Sequence, residues 1–380
     1  GVGSVLAWGG GSSLATINLN SGIVRNGNTA SSATVNIAAG GLLEWNVTNP
    51  TPTAGNATNL VLNRGVMRTT GGLLHSHVGT LTFNGGMLDF TAGGYNAESM
   101  QLNNNVTVGT GTFTGTSWIL QTSGDNTNRG LALKGSRTFT VNTGNELRVQ
   151  GELENSDTGS DSFVKAGDGK LILLNTVSYT GGTTINAGTL QLGDISAAGT
   201  GTGTAVANGL NGGTGTVTVN ASGTLAASNG TLAGFTYLSN LLAGSGTVQV
   251  IGAGHFGLSG NTNTFSGTVD MRSSGQIYGG LTLDYTTQNN NKLASTATMN
   301  LIGGNLRIVG NAAAATSQTV GSINILGGNL ITLIPGAGQT ATLTGTSFTQ
   351  SGSGMFTLRT GGVLGTDANL NVGAATLGGW

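Results

Sequence analysis

The chain has 380 residues, a formal net charge of −1 and only 7% charged residues, where ordinary soluble domains carry roughly 25%. Cys is absent and 13 Lys+Arg nearly balance 14 Asp+Glu, which excludes a disulfide framework, a Cys-based zinc or iron–sulfur site and the phosphate neutralisation that nucleic-acid binding needs. The 70 Gly point neither to disorder, since 37% of residues are hydrophobic and only three are Pro, nor to collagen, since they follow no G-X-Y period.

The chain opens Gly1-Val2-Gly3 without Met and stops at Trp380, as expected of a piece of a longer protein. Gly, Asn or Thr interrupts every apolar run well short of the roughly 18–20 residues a membrane helix requires, so no membrane span is expected. Along the chain one phrase recurs: apolar, polar, apolar, polar, small, Gly, variable, apolar. Early copies are Ile17–Val24, Val35–Leu42, Leu60–Met67 and Leu81–Leu88; later ones include Thr184–Leu190, Val217–Leu225, Met299–Leu306, Ile323–Leu330 and Phe356–Val363.

Each phrase reads as a short strand, a glycine turn and a second strand, with alternate side chains inward. A single unit holds too little apolar surface for a core and must stack on its neighbours. Phrases start roughly 18 to 34 residues apart, the spacing of solenoid coils. Helical solenoids are excluded because Gly and β-branched residues break every window of 3.6 periodicity. Only Ala312–Ala315 and Leu238–Leu242 are left as places for a turn or two of helix.

The expected fold is all-β, a right-handed parallel β-helix running as one continuous domain over 1–380. At ~22–27 residues per coil and ~4.8 Å per coil it makes on the order of 12–16 coils and a rod roughly 60–75 Å long. Protruding loops are expected at Thr48–Asn59, Gln121–Arg129, Glu152–Asp161 and Thr286–Leu293.

One stretch is more specific. Gly167-Asp168-Gly169-Lys170-Leu171-Ile172-Leu173-Leu174-Asn175 runs into Thr176-Val177-Ser178-Tyr179-Thr180-Gly181-Gly182-Thr183-Thr184-Ile185-Asn186-Ala187-Gly188-Thr189-Leu190-Gln191-Leu192-Gly193. It resembles the passenger-associated transport repeat, also called the autotransporter-associated β-strand repeat. Asn175, Val177 and Ser178 depart from the family's Gly, Asn and Thr, while Tyr179 to Gly193 fits at nearly every specified position.

A weaker copy lies within 254–269, carried by Phe256-Gly257-Leu258-Ser259-Gly260 and Asn263-Thr264-Phe265-Ser266-Gly267. The resemblance implies parallel β-helical stalks of secreted or surface-displayed proteins, and implies no cofactor, ligand or reaction. Read as one coil, 167–193 points Leu171, Leu173, Ile185, Leu190 and Leu192 inward, caps a corner with Tyr179, and turns at Gly181, Gly182 and Gly188.

Candidate chemistry is sparse. Glu152, Glu154, Asp157 and Asp161, followed by Lys165 and Asp168, form the densest acidic stretch, and paired carboxylates serve glycosidic cleavage or calcium binding. A solvated loop between coils is the preferred reading. A site would require this stretch to meet basic residues such as Arg129, Arg137 and Arg148. His75 and His77 share a strand face, but no third metal ligand is evident nearby. His255 reads as a coil-surface residue.

Thr-x-Thr tracts such as Thr340-Ala341-Thr342 suggest ice binding only if hydroxyls repeat on every coil. The tracts are separated in sequence, so ordinary β-propensity is the expected explanation.

The expected function is therefore a non-enzymatic structural rod of an extracellular or cell-surface bacterial protein. Expected partners are further coils of the same protein through self-association, or a surface glycan or host-matrix ligand. The alternative is a polysaccharide-active or glycan-binding β-helix.

Overall fold

The computed structural model describes residues 5–8, 16–26, 34–45, 58–69, 76–90, 100–120, 130–156, 159–175, 177–194, 215–229, 235–261, 263–272 and 279–376. All regular structure among them is strand, and every pairing between these strands is parallel. The fold is a parallel β-helix. It divides into two compact units, 1–181 and 182–380.

In the first unit the alternation of the repeated phrase becomes columns of stacked side chains. Val35, Leu60, Leu81, Val106 and Phe139 occupy one register position on successive coils, and all are buried. Two residues further along each strand, Ile37, Leu62, Phe83, Val108 and Val141 form a second column. Burial of each such side chain contributes about 1.5–3 kcal/mol.

The turn glycine is required where the phrase predicts it. Gly40 takes φ +83°, a conformation that costs Gly nothing, and at Gly65 a Cβ would lie 2.5 Å from the Ile37 carbonyl oxygen. Outward polar positions form ladders: the Asn36 amide donates to Asn18 at 2.7 Å and that of Asn84 to Asn63 at 2.7 Å.

The second unit repeats the plan. Leu190, Leu225, Val248, Val269, Met299, Ile323 and Phe348 share one inward register position. Successive coils are offset by as few as 18 residues, as in Ile17 against Val35, and by as many as 35, as in Thr189 against Thr224.

Three expectations are corrected here. Neither suggested helical stretch is helical: Phe235–Leu238 is a strand and Ala312–Ala314 are bends. The Thr286–Leu293 loop is exposed over 286–291 as expected, but its last two residues, Lys292 and Leu293, are fully buried.

That burial has a polar cause. Lys292 Nζ donates to the carbonyls of Gly260 at 2.8 Å, Gln288 at 2.9 Å and Ser259 at 3.3 Å. Buried Gln318 accepts from Tyr285 Oη at 2.6 Å and from the Lys292 and Leu293 backbone N–H groups at 3.0 and 3.3 Å.

The third correction concerns Thr. In the 182–380 unit hydroxyl residues do recur on every coil of a seven-coil run. The expected loops at 48–57 and 121–129 lie outside the described residues.

Candidate functional site

The distinctive segment begins in the first unit. Leu171 and Leu173 are buried on strand Lys170–Leu173, and Tyr179 is fully buried with its ring 6.0 Å from that of Phe163. Phe163 in turn meets Phe139 edge-on at 5.0 Å. Gly181 is confined, since a Cβ there would lie 2.3 Å from the Asp161 carbonyl oxygen. In the second unit, strand Thr183–Leu192 buries Ile185, Leu190 and Leu192, and Gly188 takes φ +63°. At Gly182 a Cβ would approach the Thr216 carbonyl oxygen to 3.2 Å.

Lys165 occupies an inward position that the sequence does not announce. It pairs with Phe139 in the column below Val106 and is fully buried. Its stem packs inside while Nζ donates to the carbonyls of Gly167 at 2.7 Å and Ala166 at 2.9 Å, as long basic side chains do when only the head is polar. Burial lowers the ammonium pKa to about 8, partly countered by Asp168.

The acidic stretch is not a solvated loop, which corrects the preferred reading. Glu152–Asn155 is a strand, and Glu154 and Asp161 are 7% and 3% exposed. The Asp161 carboxylate accepts from the backbone N–H groups of Gly135 and Ser156, each at 2.5 Å, and so ties two coils together.

Arg137 lies near Asp161 but spends its own donors on the carbonyls of Leu102 and Ser136. Arg148 sits elsewhere, bonded to Glu146 at 2.9 Å and 4.9 Å from the Trp118 ring centroid. Asp168 is exposed. The convergence of carboxylates with Arg137 and Arg148 that a site would require is thus not formed among the described residues, where Arg137 alone lies near one of them, Asp161; Asp157 and Arg129 lie outside them.

Asp161 is a stitch in this arrangement, so Asp161→Ala is expected to lower stability by about 3 kcal/mol, the loss of two charge-assisted hydrogen bonds to buried donors. Asp168→Ala at the exposed turn is expected to stay within about 0.5 kcal/mol. Urea unfolding of the two variants checks the ranking.

His75 lies outside the described residues, and His77 belongs to strand Ser76–Phe83. His255 is not a surface residue: it is 5% exposed, with Nδ1 3.4 Å from Thr282 Oγ1. Burial, reinforced by the positive charge of Arg307, lowers its pKa to about 4. Its ring is therefore neutral near pH 7. Among the described residues no cluster of three His, Asp or Glu could hold a metal ion.

In the weaker copy, Phe256, Leu258 and Phe265 are buried, and at Gly260 a Cβ would lie 2.2 Å from the Asn240 carbonyl oxygen.

Comparison with known proteins agrees with the likeness read from residues 167–193. The passenger-associated-transport-repeat family model matches residues 163–192. The chain is 37% identical over 126 residues, 30% of its own length, to the adhesin BmaC autotransporter of Brucella suis biovar 1 (strain 1330). The match spans 4% of that relative's length. No solved structure matches the chain.

Proposed function

We propose that the chain is a stretch of a surface-displayed, autotransporter-like passenger, a non-enzymatic stalk that projects or adheres outside the cell. The observation that carries this reading is the transport repeat at 163–192 set within stacked parallel coils, together with a relative that is an autotransporter adhesin. The residues Leu171, Leu173, Tyr179, Gly181, Gly182, Ile185, Gly188, Leu190 and Leu192 serve in it as the frame of coils. The dispersal of the acidic and basic groups among separate turns supports a structural role over polysaccharide cleavage.

Stacking on further coils, of the same protein or of another copy, is part of this proposal. Among the described residues, strands Met355–Thr360 and Ala368–Thr376 pair as strands along one edge each, with Gly328–Ile334 and Ala341–Gln350, apart from a single bridge of Ala368 to Leu364. Met355, Phe356 and Val372 are 68%, 37% and 45% exposed. Phe356 and Val372 line an apolar cavity of about 690 Å³ together with Phe348, Leu358, Leu364 and Leu370. Exposed apolar surface beside open strand edges favours the addition of another coil, and a weakly charged surface does little to oppose it.

Electron microscopy of the purified chain tests the reading. Elongated particles joined end to end are expected, and Phe356→Lys with Val372→Lys should leave them single. Compact particles with no long axis would contradict the stalk.

A further inference from the structure

The surface of the 182–380 unit carries an order that uneven coil length conceals in the sequence. Thr189 pairs with Thr224, and the same register position continues through Thr247, Thr268, Thr298, Ser322 and Ser347. The steps in sequence vary from 21 residues, Thr247 to Thr268, to 35, Thr189 to Thr224. Each of these residues is half-buried, and each precedes an inward member of the Leu190 to Phe348 column. The hydroxyls therefore line the outer face.

Two residues further along the strands a second row, Gln249, Asp270, Asn300, Asn324 and Thr349, runs over the last five coils; on the first two its position is taken by buried Gln191 and Ala226. The Asn324 amide donates to Asn300 at 2.8 Å and the Asn300 amide to Asp270 at 2.8 Å. The single carboxylate of this row also accepts from Arg272 at 3.0 Å, at the edge of the face.

High β-propensity accounts for Thr in strands but not for its registration. In the first unit the corresponding position, just before the Val35 to Phe139 column, reads Thr34, Asn59, Thr80, Asn105 and Thr138. Among the described residues of these two rows, the one in the second unit carries a hydroxyl on seven coils in succession.

The geometry follows from the strands themselves. Neighbouring hydroxyls repeat every ~4.8 Å, the two rows lie ~6.7 Å apart, and the hydroxyl row extends roughly 29 Å, the second row roughly 19 Å. Strict periodicity of this kind gives no advantage with a single flexible ligand. Nucleic acid would require positive charge, and a protein partner is usually held by aromatic and Arg anchors, which these two rows lack.

A lattice of donors and acceptors, uncharged but for the Asp270–Arg272 pair, suits a solid that repeats in two dimensions with similar spacings. Hexagonal ice does so, and hydroxyls held at these intervals order the water that joins it. We propose that the Thr189 to Ser347 face binds ice.

The 380-residue chain is tested by freezing hysteresis and by inspection of ice crystals grown in its presence. Faceted crystals and measurable hysteresis are expected. Thr268→Lys and Thr298→Lys, central in the row, should reduce both to the buffer level, while Ser317→Lys, exposed elsewhere on strand Thr316–Ile325, should keep them. If a lysine variant fails to fold by circular dichroism, Thr268→Val is read in its place and should lower the hysteresis.

Unfaceted ice with the native chain, or equal hysteresis in folded row variants, would overturn the proposal. So would retention on insoluble cellulose that depends on the same residues without ice shaping, which would reassign the face to a neutral glycan. None of these readouts depends on where the protein is displayed.

Discussion

Leu190→Asp is expected to destabilise the 182–380 unit by at least about 4 kcal/mol, a loss reserved for a few drastic mechanisms. Leu190 is fully buried and stacks directly on Leu225 within a seven-residue column. The substitution removes a large aliphatic group, which alone costs about 2–5 kcal/mol when a cavity remains. It also places a carboxyl where no water answers it, which forces it to stay protonated at further cost. Because each coil is packed only against its neighbours, the damage should spread along the column. Ile325→Asp, equally buried, should behave alike. Thr247→Asp, on the outer face of the same stack, should cost under about 1 kcal/mol. Urea midpoints of the three variants give the ranking, and equal midpoints would remove the basis for the inward assignment.

Gln318→Leu should cost a comparable amount, at least about 4 kcal/mol, for a different reason. Its side-chain oxygen receives three donors, Tyr285 Oη and the Lys292 and Leu293 N–H groups. Its amide nitrogen donates to the carbonyls of Thr319 at 2.6 Å and Leu293 at 3.0 Å. Leucine fills much of the same volume but leaves these groups buried without their partner, each worth about 1–3 kcal/mol. Ser317→Ala, one residue away and exposed, should stay within about 0.5 kcal/mol.

The same clasp predicts an alkaline signature. Burial lowers the Lys292 pKa from 10.5 to about 8, so between those values the unfolded chain binds the proton that the folded chain has lost. Stability therefore rises with pH across that window. Burial raises the pKa of Tyr285 above its ordinary 10.0, which opposes the gain once tyrosines in the unfolded chain begin to ionise. The rise should be clearest between about pH 8 and 10. Lys292→Met should flatten it in the second unit, as measured by urea midpoints at stepped pH.

Much of the fold is legible in the sequence because the coil depends on local chemistry. Alternation in phrases such as Val35-Asn36-Ile37 and the Gly that follows specify strand and turn within a few residues, and stacking then supplies the rest. Register between coils is harder to read. Lys165 enters the core because its strand aligns with Phe139, a fact set by the number of residues in the intervening turns. His255 is legible in the sequence only as an isolated polar residue and Asp161 only as a member of an acidic stretch; their burial depends on neighbours 27 and 26 residues away, Thr282 and Gly135. The Thr row is concealed for the same reason, since coils of unequal length align hydroxyls that no fixed period connects.

Among the described residues the buried polar groups Asp161, Lys165 and Lys292 hold turns and coils together. An antibody raised against the 380-residue chain, applied to intact cells that produce it, tests the central claim most directly. Labelling of unpermeabilised cells, abolished by protease added outside, is the result a displayed stalk predicts. Labelling that requires permeabilisation and survives external protease would contradict it.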